Sequence, residues 1–166
     1  DGKLRQKFQE EFKEPLFLYM FCIVVSNDIN YTLDNFTYSG LFHQYIKYRN
    51  EKISKGVDED FHRNITEMAL MKLANYSLYY KGCGDVPRQK ARWYADQICR
   101  NRVWSKSLLY WLIKENLLLA TGNEGETLMF GYQKMGDFLM ADVFAQNKMS
   151  ESDKIEFILR KGGSQE

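Results

Sequence analysis

The stretch that decides the fold is residues 117–141, which read LLLATGNEGETLMFGYQKMGDFLMA. An apolar run over 117–120 leads into a cluster of turn residues over 121–126, and a second short apolar run follows over 127–130. Two short apolar runs separated by Gly, Asn and Thr predict a β-hairpin with a loose loop. The next residues, 132–146, have the apolar spacing of an amphipathic helix.

Helices are predicted on both sides of this hairpin. Upstream, Pro87 begins one helix and Ser105 caps another, which continues through the Leu- and Trp-rich residues 108–112. Helix, helix, hairpin and helix over residues 86–146 follow the order of a winged-helix unit, with the helix before the hairpin in the recognition position. A last helix is predicted over about 152–161.

The first half of the chain is predicted to be a helical bundle. Its helices, interrupted by a polar loop over 26–38, are predicted at 3–13, 16–25, 39–55 and about 58–80. Gly56 is expected to end the third helix, and Asp58 or Asp60 to cap the fourth. We therefore predict a mainly α fold. Its parts are a helical domain over 1–84, a winged-helix domain over 85–149 and the start of a following helical segment over 150–166.

The apolar spacing also predicts which side chains face inward. On the helix over 39–55, the inner stripe is Leu41, Tyr45 and Tyr48. The outer face of that helix carries Lys47, Arg49, Glu51 and Lys52. On the next helix, the predicted inner residues are Phe61, Ile65, Met68, Ala69, Leu73 and Tyr76.

Composition and charge exclude several classes of protein. The 166 residues suit one domain or two small ones, and 45% hydrophobic with 27% charged residues excludes a disordered or collagen-like chain. The net charge of +1 gives no general attraction to nucleic acid or to a membrane. The longest apolar run, residues 16–25, is too short to span a bilayer. The chain has three widely spaced cysteines, Cys22, Cys83 and Cys99, which fit reduced thiols in a cytoplasmic protein. They form no CxxC motif, so no zinc site is expected.

Signals for catalysis are missing from the sequence. The Gly-rich residues 82–84 lack the Lys-Ser/Thr that a phosphate-binding loop requires, so the chain alone is not expected to hydrolyse a nucleotide. His43 and His62 lie on different predicted helices, and no Ser or Cys in a strained turn accompanies them. We therefore expect no catalytic residue, metal site or cofactor in this chain.

A basic segment over 81–106 contains seven Lys and Arg residues interleaved with Trp93, Tyr94 and Trp104. Such a pattern is typical of a nucleic-acid surface, or of a basic face that docks on an acidic neighbouring domain. The predicted recognition helix, residues 105–115, has only two basic residues and is rich in Leu and Trp. A helix that reads a major groove needs more Arg, Asn or Gln, so we favour domain docking and do not expect a nucleic-acid partner.

Residues 130–141 are the most specific stretch of the chain, where a strand end turns into a helix. Free backbone amides and the helix dipole favour anions at such a helix start, and Tyr132 lies at that turn. Alternatively, Tyr132 and Asp137 only cap and orient the helix. Composition alone favours this second interpretation.

The same stretch resembles the end of the winged-helix domain in STAND-class NTPases of the NACHT type, closest to the bacterial antiviral branch. That branch has Tyr in place of a His at the position of Tyr132. The matching positions are Phe130, Met135, Asp137, Phe138, Leu139 and Ala141. A second anchor, EPLFLYMFC over 14–22, resembles the string that opens the helical domain after the nucleotide-binding core. The resemblance covers about residues 14–145.

The resemblance implies how such a chain works. Pro15 would contact the adenine base of ADP, and Tyr132 would contact its β-phosphate. The ATP or ADP and the Mg would be bound in a parent protein. In that protein the phosphate-binding loop lies upstream, in a nucleotide-binding domain, and sensor repeats follow. Phe130, Asp137, Phe138 and Ala141 would be structural. The Asp1 start would then be the middle of a longer cytoplasmic protein that forms homo-oligomers.

Three functions therefore stay open. The first is a nucleotide-dependent lid and hinge in antiviral defence, with the loop over 26–38 as a candidate for movement. The second is a stand-alone winged-helix regulator that binds duplex DNA. The third is an all-helical adaptor for a peptide or partner helix, which would have an ordinary loop where the hairpin is predicted.

Overall fold

The computed structural model describes residues 13–27, 37–81 and 84–162. Most of the predicted helix over 3–13 and of the predicted loop over 26–38 lies outside these ranges. Within them the chain forms seven α-helices: α1 (Pro15–Asn27), α2 (Tyr38–Val57), α3 (Ile65–Tyr80), α4 (Arg88–Ile98), α5 (Leu108–Lys114), α6 (Gln133–Gln146) and α7 (Glu151–Gly162). Two 3-10 turns, Phe61–Arg63 and Trp104–Lys106, precede α3 and α5. The predicted mainly helical class is confirmed.

A small antiparallel sheet accompanies the helices. Its strands are β1 (Val86–Pro87), β2 (Leu118–Thr121) and β3 (Thr127–Phe130), in the order β1-β3-β2. β2 and β3 form the predicted hairpin, and Gly122 and Gly125 take the positive φ angles that its turn requires. β1 was not predicted, because two residues are too few to show an alternating pattern. It pairs with β3 along the edge that the hairpin leaves open.

The end of α2 differs from the prediction. The helix continues through Gly56 to Val57, and Asp58 takes a left-handed conformation, with φ of 62°, that ends it. Gly56 instead lies where α5 packs closely against α2. An ideal Cβ atom on Gly56 would lie 2.1 Å from the indole ring of Trp111. This glycine therefore permits a close helix contact, and the prediction that it ends the helix was wrong.

Two predicted caps are displaced by a few residues. Asp60 caps the Phe61–Arg63 turn by accepting from the His62 amide at 2.9 Å, and α3 begins only after that turn. The cap of α5 is Ser107, whose hydroxyl accepts from the Tyr110 amide at 3.2 Å. Ser105 is not the cap, because it lies within the 3-10 turn that precedes this helix. Both errors arise because a single-turn helix is not visible in apolar periodicity.

One hydrophobic cluster runs through α1 to α6. It includes residues on both sides of residue 84, where the predicted helical domain ends. Most of the predicted inner residues are buried or partly buried in it, but Phe61 and Met68 are 48% and 43% exposed. Phe61 points outward because the 3-10 turn, and not α3, carries it. Among the residues that the structure describes, no helix has the length and apolar character needed to cross a membrane.

Candidate functional site

The structure brings the two resemblance anchors together. Glu14, immediately before α1, pairs with Lys134 in the first turn of α6, with Oε1 and Nζ 3.5 Å apart. The rings of Phe17 and Tyr132 lie with their centroids 6.3 Å apart. Pro15, the first residue of α1, is therefore adjacent to the start of α6, although the sequence separates them by most of the chain.

Packed aromatic rings fix the start of α1 against the start of α6. The ring of Phe42 on α2 lies 5.8 Å from that of Tyr132 and 5.7 Å from that of Phe138, measured between centroids. Tyr38 bridges Phe17 and Phe42 at 5.8 and 6.4 Å. Tilted aromatic pairs at these separations are attractive beyond the area they bury. The relative position of the two helix starts is therefore set by three helices packing together.

The individual site residues have different environments. Pro15 is exposed, whereas Tyr132 is 7% exposed and its hydroxyl oxygen is buried. In this chain the Tyr132 ring thus has a packing role, and the exposed surface of the site is formed by Pro15 and its neighbours Glu14 and Lys134.

The motif residues divide between the core and the surface. Phe130 is 9% exposed, and Phe138 is partly buried against Phe42. Phe130 packs so closely on α6 that an ideal Cβ on Gly136 would lie 2.7 Å from its ring. Asp137 and Ala141 are exposed.

The starts of α1 and α6, which lie side by side, determine the electrostatics of the site. The first turns of α1 and α6 contain no acidic residue. Backbone amides at a helix start lack intrahelical acceptors and carry part of the positive end of the helix dipole. Lys134 adds a positive charge, which Glu14 balances in this arrangement. The site therefore presents the exposed Pro15 beside helix-start amides that favour an anion.

Arg49 was predicted on the outer face of its helix, but the structure buries it. Arg49 is 5% exposed, and its Nη1 donates to Oε2 of Glu115 at 2.6 Å. Its Nε donates to the Tyr45 hydroxyl at 3.0 Å and its Nη2 to the Tyr19 hydroxyl at 2.8 Å. The other oxygen of Glu115 lies 2.9 Å from Nζ of Lys52. Arg49 therefore joins α1, α2 and the residue that follows α5.

The environment of Arg49 explains how its charge is tolerated. Burial alone lowers the pKa of the guanidinium, but the Tyr45 and Tyr19 hydroxyls outweigh this effect and leave the pKa raised. The guanidinium also lies over the Tyr45 ring at 5.0 Å. A buried charge needs a full set of partners, and these groups supply them. The sequence could have indicated the Arg49–Tyr45 contact, because residues four apart on one helix are neighbours on its surface.

The two histidines are both exposed. Nδ1 of His43 lies 3.5 Å from Oε1 of Glu67, and its ring is edge-on to Phe138 at 5.1 Å. His62 lies in the Phe61–Arg63 turn, with its ring 3.9 Å from that of Phe61. In the described parts of the chain, no three His, Cys, Asp or Glu side chains are grouped as metal ligands would be.

Two of the clefts in the described structure lie near the motif and the hairpin, away from Pro15. One of 180 Å³ borders the motif and is lined partly by Phe130, Gln133 and Asp137. The other, of 630 Å³, lies between the start of α4 and the hairpin turn and includes Arg88 and Trp104. Neither cleft includes Pro15 or Tyr132, so neither is the site that the resemblance implies.

No protein family, curated protein or solved structure matches this chain. The function proposed below therefore rests on the residues and their geometry, together with the resemblance of the two anchors.

Proposed function

We propose that this chain is the helical and winged-helix module of a STAND-class, NACHT-like signalling NTPase, in which it acts as a nucleotide-dependent lid and hinge in antiviral defence. Its partners are the nucleotide-binding domain and the sensor repeats of the same cytoplasmic parent protein. Pro15 contacts the adenine, and the turn at Tyr132 lies on the phosphate side of the nucleotide. The module contributes no catalytic group, and ATP or ADP with Mg is held mainly by the parent protein's nucleotide-binding domain.

The observation that carries this proposal is the contact between the two anchors. The 3.5 Å ion pair of Glu14 with Lys134 puts both helix starts within reach of one ligand. A proline from a helical domain and a residue from a winged helix contact one nucleotide only if these two segments are adjacent. Nothing in the sequence spacing required that adjacency.

The order of elements supports the winged-helix part of the proposal. Helix α4, helix α5 and the β2–β3 hairpin follow one another, and β1 completes a sheet of order β1-β3-β2. This order of elements supports a winged-helix interpretation, in which α5 takes the recognition position. Of the basic residues predicted for that helix, Lys114 lies on α5 itself and Lys106 lies in the preceding turn. The hairpin also argues against the all-helical adaptor.

The outer face of α1 supports a neighbouring domain. The helix has no charged side chain along its 13 residues, and Leu18 and Val25 are 41% and 38% exposed. Cys22, between them on the same stripe, is also exposed. A helix that is apolar on all sides is normally buried. The nucleotide-binding domain of the parent protein would cover this face next to Pro15.

The mechanism that follows is a population switch. ADP bound between the module and the nucleotide-binding domain favours the closed arrangement, because it contacts both bodies. Target binding and nucleotide exchange remove that preference, and the opened chains then form a homo-oligomer. The aromatic cluster of Phe17, Phe42 and Tyr132 keeps the two contacts on one rigid unit.

The test uses the full-length gene product and the two prolines of the 166-residue chain, Pro15 and Pro87. The first requirement is a phosphate-binding loop roughly 150 to 250 residues upstream of Pro15. ADP that copurifies with the protein is released by heat and quantified by chromatography. Pro15→Ala should lower the retained ADP, whereas Pro87→Ala, at the start of α4, should leave it at the wild-type level. Equal retention in both variants, or a gene that encodes no phosphate-binding loop, contradicts the proposal.

Binding of duplex DNA separates the lid from a DNA-binding regulator. A regulator would bind duplex DNA with an affinity that falls steeply as salt is raised, and Lys114→Gln on α5 would weaken it. The lid hypothesis expects no retention of duplex DNA by the 166-residue chain even at low salt.

A further inference from the structure

The basic and aromatic segment over 81–106 divides between two faces in the structure. Arg88 and Trp104 meet beside the hairpin turn, with the guanidinium 5.3 Å from the ring centroid. Lys90, Trp93 and Tyr94 instead lie on the side of α4 that packs beside α3. Tyr94 lies beside Lys72 and Tyr76 of α3, which are outside the segment over 81–106.

Four aromatic rings form a continuous row across α3 and α4. Tyr76 and Tyr80 on α3 are stacked, with centroids 5.3 Å apart and planes 20° from parallel. Tyr94 lies 6.0 Å from Tyr76, and Trp93 lies 4.9 Å from Tyr94. The two ends of the row are open to solvent, since Tyr80 is 71% exposed and Trp93 is 51% exposed. Exposed aromatic side chains in such a continuous patch mark an interaction surface.

Lysines are interleaved with these rings. Nζ of Lys90 lies 4.4 Å from the Trp93 centroid, 5.6 Å from that of Tyr94 and 5.8 Å from that of Tyr76. Nζ of Lys72, one turn before Tyr76 on α3, lies 6.0 Å from the Tyr94 centroid. Cation–π contacts of this kind hold the ammonium groups beside the rings.

The parts of α3 and α4 that carry these rings have charged residues of one sign. Residues 68–81, which include most of α3, contain Lys72 and Lys81 and no Asp or Glu. Residues 88–95 of α4 also contain no acidic residue. The nearest carboxylate along α4, Asp96, lies 3.8 Å from the Arg92 guanidinium. The face therefore complements a negatively charged partner.

We propose that the face formed by Lys72, Tyr76, Tyr80, Lys90, Trp93 and Tyr94 binds single-stranded nucleic acid. A single strand offers a phosphate and a flat base at every repeat, which matches alternating lysines and rings. An acidic peptide would use the lysines and leave the exposed rings uncovered. A duplex keeps its bases stacked internally and offers no ring to Tyr80 or Trp93. This inference does not depend on the nucleotide switch, and it departs from the expectation, drawn from the few basic residues over 105–115, that nucleic acid is not a partner.

The test is fluorescence anisotropy of a labelled oligothymidylate of about 15 nucleotides, titrated with the 166-residue chain at low salt. The wild type should bind, and its affinity should fall with salt with a slope of about −0.7 for each phosphate neutralised. Trp93→Ala should weaken binding roughly 5- to 150-fold, as loss of one stacked base does. Tyr80→Ala should act in the same direction and is the second variant, because its ring is the more exposed.

Lys90→Gln and Lys114→Gln form a matched pair of variants. Nζ of Lys114 lies 4.1 Å from the centroid of Trp111 on α5, so both lysines lie beside an indole ring. Lys90→Gln should weaken binding of the single strand, and Lys114→Gln should not. Circular dichroism of each variant confirms that it is folded.

Three results would overturn the proposal. The first is no binding of the oligothymidylate by the wild type at low salt. The second is unchanged binding in both Trp93→Ala and Tyr80→Ala, or binding that is weakened by Lys114→Gln and not by Lys90→Gln. The third is equally effective competition by polyglutamate, which would show that charge without stacking explains the binding. Loss of ADP retention in Pro15→Ala tests the nucleotide site separately, so the two proposals can fail independently.

Discussion

Arg49 and Glu115 form a buried ion pair, 2.6 Å between Nη1 and Oε2, although 66 positions of sequence separate them. Their side chains are 7% and 4% exposed. Arg49 lies on α2, and Glu115 follows α5 directly, at the corner that leads into the hairpin. The pair therefore links the helical first half of the chain to the part that carries the sheet.

Removal of one partner of this pair should strongly destabilise the fold. Glu115→Ala leaves the Arg49 guanidinium buried without its carboxylate, and such changes cost about 3–5 kcal/mol. Urea unfolding followed by circular dichroism measures the loss. Arg92→Ala is the control, because Arg92 and Asp96 form an exposed pair 3.8 Å apart that contributes less than about 1 kcal/mol. Equal losses in the two variants would contradict the role of the buried pair.

Gly56→Ala should destabilise the protein even though Ala is the better helix former. In an open helix the change would stabilise by about 1 kcal/mol. Here the new methyl group would occupy space held by the Trp111 ring, and overpacking costs about 1–3 kcal/mol. Thermal unfolding should therefore show a lower midpoint. In a Trp111→Leu background the same change should become neutral or stabilising, and a persistent loss there would exclude the steric explanation.

Phe138→Ala should cost about 2–4 kcal/mol. Its ring packs against Phe42 and His43, and truncation of buried Phe costs about 3–5 kcal/mol, reduced here because the side chain is only partly buried. Phe61→Ala is the matched control, since Phe61 is 48% exposed. Urea unfolding should rank the two variants in that order, and the reverse order would remove Phe138 from the packing that fixes α6 on α2.

Tyr132→Phe should leave the melting temperature of the 166-residue chain nearly unchanged, because the ring keeps its contacts with Phe17 and Phe42. In the full-length protein it should also leave the retention of ADP near the wild-type level, because the hydroxyl oxygen is buried and the exposed part of the site lies at Pro15. Calorimetry of the isolated chain and nucleotide release from the parent protein measure the two quantities. A large loss of stability in the isolated chain would assign the hydroxyl an internal structural role.

Alkaline pH should destabilise the fold partly through Cys99. Burial, together with a hydrogen bond to the Glu59 carboxyl group, raises the pKa of this thiol from about 9 to about 11. Above about pH 9 the unfolded thiol ionises while the folded thiol stays protonated, so stability present at lower pH is lost as pH rises toward about 11. Urea unfolding over this range should show a shallower decline for Cys99→Ala than for the wild type. The same slope in both proteins would contradict the assignment.

The hairpin and the helices were predictable because they depend on local patterns. Apolar runs over 117–120 and 127–130 flank a Gly-rich turn, and they give β2 and β3. The caps at Asp60 and Ser107 show the limit of local patterns. Several Ser and Asp residues precede each helix, and packing decides which of them the first turn uses.

The sequence selects residues for the candidate site but does not give their positions in space. Pro15 and Tyr132 were selected from two separate motifs, and the sequence gives no distance between them. The Glu14–Lys134 ion pair and the ring contacts of Phe17 and Phe42 supply that distance.

The amino-acid order thus determined the helical class, the hairpin and most of the inward-facing residues, because apolar periodicity acts over a few neighbouring residues. The fold alone decided that Arg49 is buried, that Gly56 admits Trp111 and that the starts of α1 and α6 meet. Each of these depends on side chains far apart in the chain, whose contact exists only after the helices have packed against one another.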